Sequence, residues 1–291
     1  MLNILIAYPY FSNGMIPHLT ELANEGRLRL FMDSGAFTAW KSGKPIMLDD
    51  YCRFIEELPF KPWRYLALDV IGDPEGTMKN YEVMLARGLN PVPIFTRGED
   101  AAIIDKLYET SDIIAIGGLV GTQKNKGFTK GITHHLKGRP AHLLGFTNKA
   151  FIKVLRPYSC DSSSVQAAAR YGQVELFNQR DGTWLKLLKA DFSTRPADNV
   201  ISLIKSYGAN AASLAMKDNW VGLRSLGRTL SFRSHVRASL CYEKLLNVKY
   251  FLAINAIDQV VLTIDCYRKE SGYDRMHSKD SVLLRAPGSE P

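Results

Sequence analysis

Residues 92–118 read VPIFTRGEDAAIIDKLYETSDIIAIGG. An apolar run, Val92–Phe95, gives way to a polar turn and then to a helical pattern over Asp100–Thr110. A second apolar run, Ile113–Ile116, ends on the pair Gly117-Gly118. Short apolar runs bounded by turn residues read as buried strands, and the segment between them has helical periodicity. A strand, a helix and a strand in so short a span form a βαβ unit, whose strands lie parallel.

The same alternation extends in both directions. Upstream, the apolar runs are Ile4–Tyr8, Leu28–Met32 and Tyr65–Leu68; downstream, they are His142–Leu144 and Pro157–Cys160. Helical patterns separate them over Met15–Asn24, Leu48–Leu58, Pro74–Arg87, Asn148–Leu155 and Ser163–Tyr171. That makes seven strands before residue 162, with an eighth expected at Val174–Phe177 or Asn210–Leu214. Eight units favour a TIM (β/α)8 barrel over a doubly wound sheet. The residues that follow the runs agree with this choice. They are Asp33, Asp69, Thr96 with Arg97, Gly117 with Gly118, Gly145, and Asp161. A barrel gathers all such positions at one mouth, whereas an open sheet gathers only those near its switch point.

The alternation fades after residue 195. Pro196–Tyr207 reads as a helix, 219–257 as helical in part and broken by Gly222 and Gly227, and 258–267 (DQVVLTIDCY) as a strand or buried segment. The expected division is a barrel catalytic domain over 1–215 and a mainly helical, basic C-terminal region over 216–270 that closes or extends it. A polar, mobile tail over 271–291 follows.

Composition bounds the function. Of 291 residues, 46% are hydrophobic and 23% charged, an ordinary globular mix. No run of about eighteen apolar residues exists to span a membrane. The start, MLNILIAYPYF, lacks a basic n-region and a cleavage site and reads as a first strand, so a cytoplasmic location is expected. Four scattered cysteines without Cys-x-x-Cys argue against a disulfide framework or zinc ribbon. Of the six histidines, His134 and His135 sit in a basic segment and His142 begins a strand. No metal-ligand spacing appears among them, so they read as structural or solvent-facing, and neither a metal nor a cofactor is expected.

The net charge of +8 is unevenly distributed. Residues 1–112 hold 11 basic and 16 acidic side chains, while 113–291 hold 26 and 13. The stretch 113–160 has no acid and carries Lys124, Lys126, Lys130, Lys137, Arg139, Lys149, Lys153 and Arg156. A second acid-free stretch, 219–242, carries Arg224, Arg228, Arg233 and Arg237. Such fields favour a polyanion such as nucleic acid, although a basic soluble surface gives the same count.

The chemistry-bearing residues are carboxylates. Asp33 lies in FMDSGAF, Asp69 in LALDVIGDP and Asp161 in YSCDSSS. An acid directly after a buried strand either caps the next helix or serves a site. Two such acids can divide the work of displacement at an anomeric carbon, one as nucleophile and one as proton carrier. A third can accept the N1–H and amine edge of a guanine. Gly117 and Gly118 in IAIGGLVG allow a ligand close to the backbone, or simply make a tight turn.

In order, DSGAF, LALD, GGLVG, HLLGF and YSCDSSS resemble the motifs of the tRNA-guanine transglycosylase superfamily. The likeness is greatest to its shorter phage and bacterial branch, DpdA, which inserts 7-deazaguanines into DNA. It runs from about residue 30 to 165. It implies a TIM barrel and base exchange with retention at C1′, with Asp161 as nucleophile and Asp33, with Ser34 beside it, as general acid/base. It further implies that Asp69 reads the purine N1/N2 edge and that Gly118 contacts the base through its backbone beside Gly117 and Gly145. Phe37 and Leu144 match residues that cover the two faces of the base; barrel-core packing would explain them equally. Three departures stand out: Arg97-Gly98 replaces Gln-Gly, Ala36 replaces the second glycine of DSGGF, and the zinc subdomain of the tRNA enzymes is absent.

The resemblance thus implies exchange of guanine in DNA for a preQ0-type 7-deazaguanine, in bacterial or phage-infected host cytoplasm, with a helper protein opening the duplex if one is needed. Phosphates would be held by the basic residues of 122–156 and 219–242. The alternatives are the same exchange on tRNA, a non-catalytic nucleic-acid-binding subunit of a modification complex, and an unrelated barrel glycosidase or nucleosidase.

Overall fold

A computed structural model describes residues 1–96, 98–119, 131–132, 134–146, 149–222 and 224–277. Apart from the first two residues, the chain divides into two compact units. One comprises Asn3–Asn148 and Pro157–Ser162, the other Lys149–Arg156 and Ser163–Pro291.

Every one of the seven apolar runs overlaps a strand. They are β1 (Leu2–Ala7), β2 (Leu28–Asp33), β3 (Arg64–Tyr65), β4 (Ile94–Thr96), β5 (Ile114–Gly117), β6 (Ala141–Leu143) and β7 (Ser159–Ser162). Helices α1 (Ile16–Asn24), α2 (Ala36–Ser42), α3 (Leu48–Glu57), α4 (Pro74–Ala86) and α5 (Ala102–Thr110) lie between them. Pairing is parallel for β2–β3, β4–β5, β5–β6 and β6–β7. Leu66, just past β3, forms a parallel bridge with Val92, just before β4. Two backbone bonds hold it, Ala67 N–H to Val92 O at 2.9 Å and Val92 N–H to Tyr65 O at 2.7 Å. β3 is short in ladder terms, but side chains anchor the backbone beyond it. Tyr51 donates its hydroxyl to Leu66 O at 2.9 Å, and Asn80 donates its amide to Leu68 O at 2.9 Å.

The eighth strand is not where the sequence suggested. β8 (Gln173–Asn178) pairs antiparallel with β9 (Thr183–Leu188) as a separate two-stranded sheet, and Ala211–Ala215 is a 3-10 turn. The reason is local: Asp181 and Gly182 make a tight turn, with Thr183 N–H on Asp181 Oδ1 at 2.8 Å, and a hairpin can only be antiparallel. The remaining strand is β10, Lys249–Ile254, in the second unit. Residues 258–267 are not a strand either but part of a helix, Ile257–His277. Its first turn is fixed by Asn255 and Gln259, whose side chains bond to each other at 2.8 Å while Asn255 N–H reaches Gln259 Oε1 at 3.0 Å.

The helix Leu226–Leu246 runs unbroken through Gly227, where a side chain would press on the Trp220 ring at 3.1 Å. It is buried on most of its surface, yet carries serines. Each serine meets a backbone group of the second unit: Ser231 donates to Val165 O, Ser239 donates to Tyr250 O, and Ser234 accepts from Phe177 N–H. Buried hydroxyls with partners cost little. The expected tail falls largely outside the described residues, as do Arg97, Lys124, Lys126 and Lys130.

Candidate active site

Asp33 is the last residue of β2, and the chain turns immediately after it. Gly35 makes this possible. Its φ is +78°, and a Cβ there would lie 2.2 Å from Pro9 Cδ. In this turn the Gly35 N–H donates to Asp33 Oδ1 at 2.9 Å. Ser34 is fully buried; its hydroxyl donates to Asp69 Oδ1 at 2.6 Å and accepts the Ala36 N–H at 3.3 Å. The DSGAF segment therefore binds its own carboxylate and the one that follows β3.

Asp161 lies on β7 and is 6% exposed. Register explains its surroundings. His142 on β6 is the partner of Ser159, and Asp161 is two residues further, so its side chain leaves the same face. Its Oδ1 accepts the Gly145 N–H at 2.7 Å and lies 3.3 Å from His142 Nε2. The other ring nitrogen, Nδ1, is 2.9 Å from Ser159 Oγ. Burial holds the His142 imidazole below its ordinary pKa, against the opposing pull of Asp161. A neutral ring has one proton, and the network assigns it: Ser159 donates to Nδ1, and Nε2–H donates to Asp161. Both donors fall on Oδ1. Among the described residues Oδ2 receives none.

The three acids share one field. Burial pushes the Asp33 carboxyl up to about 7, against the pull of the Gly35 N–H, and the charges of Asp69 and Asp161 raise it further. Burial also raises Asp69, opposed by the Ser34 hydroxyl and its own N–H. No Lys or Arg among the described residues forms an ion pair with any of the three. Nor do Asp33 and Asp161 act as helix caps. Gly35 and Ser163 occupy those positions, without side-chain cap bonds, and the acid that does cap a helix is Asp73, which accepts the Gly76 N–H. Desolvation without a paired cation raises Asp33 and Asp69, and a raised carboxyl can carry the proton that an acid role requires.

The remaining expected residues vary in position. Gly117 is buried at the end of β5, and Gly118 is exposed with φ +70°. Leu144 is half-buried, its N–H on Ile116 O at 3.0 Å, and Gly145 has φ +61°. Phe37 is 55% exposed on α2, so it is not core packing. Trp40 stacks beside it at 6.0 Å, and the Lys41 ammonium lies 4.3 Å from its ring centre. The sequence reading missed His142, which it took as structural. Only the β6–β7 register makes it a neighbour of Asp161.

Several expected phosphate ligands are already engaged. Arg228 is buried and paired with Asp258 at 2.6 Å, and Arg233 is paired with Glu270 at 2.7 Å. Lys149 is paired with Glu175, its ammonium 3.7 Å from the Trp184 ring centre. Acids distant in sequence neutralise these stretches, so an acid-free run did not make an acid-free surface. Lys137 and Arg139 share Asp105 but remain near the surface. Lys153 is half-buried, its ammonium 3.4 Å from Asp181 O. Arg224 is largely exposed, 3.8 Å from Asp265.

No protein-family model and no curated protein matches this chain. Among the described residues, no cluster of three or more His, Cys, Asp or Glu could hold a metal, and no helix is long and apolar enough to cross a membrane.

Proposed function

We propose that the chain is a (β/α)8-barrel pentosyltransferase that exchanges guanine in DNA for a 7-deazaguanine through an aspartyl-glycosyl intermediate. The observation that carries the reading is a trio of acids, Asp161 buried and Asp33 and Asp69 half-buried, with no cationic partner among the described residues: Asp33 near pH 7 in its protonation, Asp161 held by two neutral donors, and Asp69 tied to Ser34. In the first step Asp161 Oδ2 attacks C1′ as the C1′–N9 bond breaks, and Asp33 gives its proton to the departing guanine. In the second the incoming base returns its N9 proton to Asp33 and attacks C1′, and Asp161 leaves. Two inversions give net retention. A carboxyl near pH 7 suits both proton transfers. Asp69 would accept the N1–H and amine of either base. Because C1′ and the base edge are hidden within a duplex, the target nucleotide would be extruded or single-stranded.

The test is to incubate the protein with a guanine-containing oligonucleotide and map any adduct by mass spectrometry. A glycosyl adduct on Asp161, absent in Asp161→Asn, is expected, together with a fall of about 10⁴-fold or more in labelled-guanine exchange. Exchange that persists in Asp161→Asn would end the proposal. DNA and tRNA run in parallel decide the polymer.

A further inference from the structure

Helix α2 begins three residues after Asp33 and carries two large aromatic side chains that the core does not absorb. Phe37 is 55% exposed and Trp40 61% exposed. One helical turn separates them, which brings them to the same face. Their rings lie 6.0 Å apart and 27° from parallel. Trp40 is also the most exposed of the chain's four tryptophans: Trp63 and Trp184 are half-buried, and Trp220 is 7% exposed. Covering an apolar surface of this kind lowers its free energy in water, and an aromatic face is best covered by another flat ring.

The local charge indicates what that cover is. Residues 34–48 include Lys41 and Lys44 and no acid. Both lysines are exposed, and among the described residues neither is engaged in an ion pair. Lys41 already lies over the Phe37 ring, so that face of Phe37 is occupied, and the open aromatic surface is that of Trp40. An exposed indole beside two unpaired ammonium groups has the chemistry of a base-stacking step with a backbone phosphate contact. A buried protein partner would need an apolar surround with few charges, and an acidic peptide would not need the indole.

We infer that Trp40, supported by Phe37 and flanked by Lys41 and Lys44, is a stacking site for a nucleobase of single-stranded nucleic acid, next to the nucleotide whose C1′ meets Asp161. The inference rests on the proposed nucleic-acid substrate but not on the exchange chemistry. It adds a specific contact outside the carboxylate pocket, where a neighbouring base can stack when the target base leaves its own stack. Any base serves, because stacking does not read hydrogen-bonding edges.

The experiment is titration of the whole protein with a guanine-containing single-stranded DNA oligonucleotide and its RNA counterpart, read by tryptophan fluorescence and by anisotropy of a labelled strand. Quenching is expected on binding, and it should disappear in Trp40→Ala. The dissociation constant should rise about tenfold or more in Trp40→Ala and much less in Trp40→Phe, which keeps a stacking face. Lys44→Ala should flatten the salt dependence of binding by about one phosphate contact. Trp40 is exposed, so the variant keeps its fold, and the unchanged far-ultraviolet spectrum checks that. Loss of affinity with either polymer supports the inference. Wild-type affinity in Trp40→Ala, quenching that survives it, or no binding to either strand overturns it. Quenching without any guanine exchange would leave the stacking site standing and remove the transglycosylation reading. Exchange that continues while Trp40→Ala binds normally would do the reverse.

Discussion

Two sets of buried carboxylates in this chain are treated in opposite ways. In the second unit the Glu270 side chain is fully buried between two guanidiniums, Arg233 Nε on Oε1 at 2.7 Å and Arg237 Nε on Oε2 at 2.6 Å. The guanidiniums are themselves held: Arg237 donates to Ser206 O at 3.1 Å and lies 3.6 Å from the Tyr207 ring centre, and Arg233 donates to Tyr207 O. In the first unit Asp161 is buried and Asp33 and Asp69 are half-buried, among backbone amides, a serine and a neutral histidine, and no Lys or Arg of the described residues pairs with them. A buried acid with matching cations is spent on holding helices together. A buried acid with only neutral donors keeps its charge poorly compensated and so remains available for bond making or proton transfer.

That contrast can be broken at either end. Glu270→Ala leaves two guanidiniums buried without a counter-charge, and unfolding free energy should fall by about 3–5 kcal/mol, measured by urea titration. A loss under 1 kcal/mol would mean that the pair is better solvated than its burial indicates. Asp33→Asn should act in the opposite direction. A carboxyl whose folded-state pKa is raised from 3.8 to about 7 binds more protons when folded than when unfolded, so its contribution to stability declines as pH climbs from about 4 to 7 and stays lost above that. The variant should therefore gain stability above pH 7, by at most roughly 4 kcal/mol, and match the wild type at pH 4. Thermal unfolding at the two pH values reads this directly. Equal melting at both would show that Asp33 is not perturbed. The smallest effect belongs to His142. His142→Phe removes one hydrogen bond to a carboxylate, which should lower kcat by about 10- to 100-fold. His142→Gln, which can still donate, should recover part of the rate. A loss that His142→Gln does not restore would make His142 a packing residue.

The seven strands of the first unit were legible because each is a short apolar run with turn residues at both ends, and burial on both faces imposes that composition. The strand after them was not, because Lys249–Ile254 follows a helix whose buried serines and arginines hide its boundary. Segment 258–267 was misread for a related reason. Seven of its ten residues are buried, so the helical period is weak, and its β-branched residues suggest a strand. Within the site, Asp33, Asp69 and Asp161 could be found because each follows a strand. His142 could not, since what makes it a neighbour of Asp161 is a register that only pairing supplies. The basic stretches failed similarly: Arg228 and Arg233 meet acids from a helix that begins some thirty residues later in the sequence.

One glycine carries a consequence beyond its own turn. The contact that forbids a side chain at Gly35 is with Pro9, at the start of the first strand–helix connection. DSGAF is therefore glycine-bearing at that position because two loops of the same protein touch there, whatever visits the cavity. The aim of Asp33 is inherited from this touch, through the amide of Gly35, and a change in the first loop would be felt as chemistry in the second.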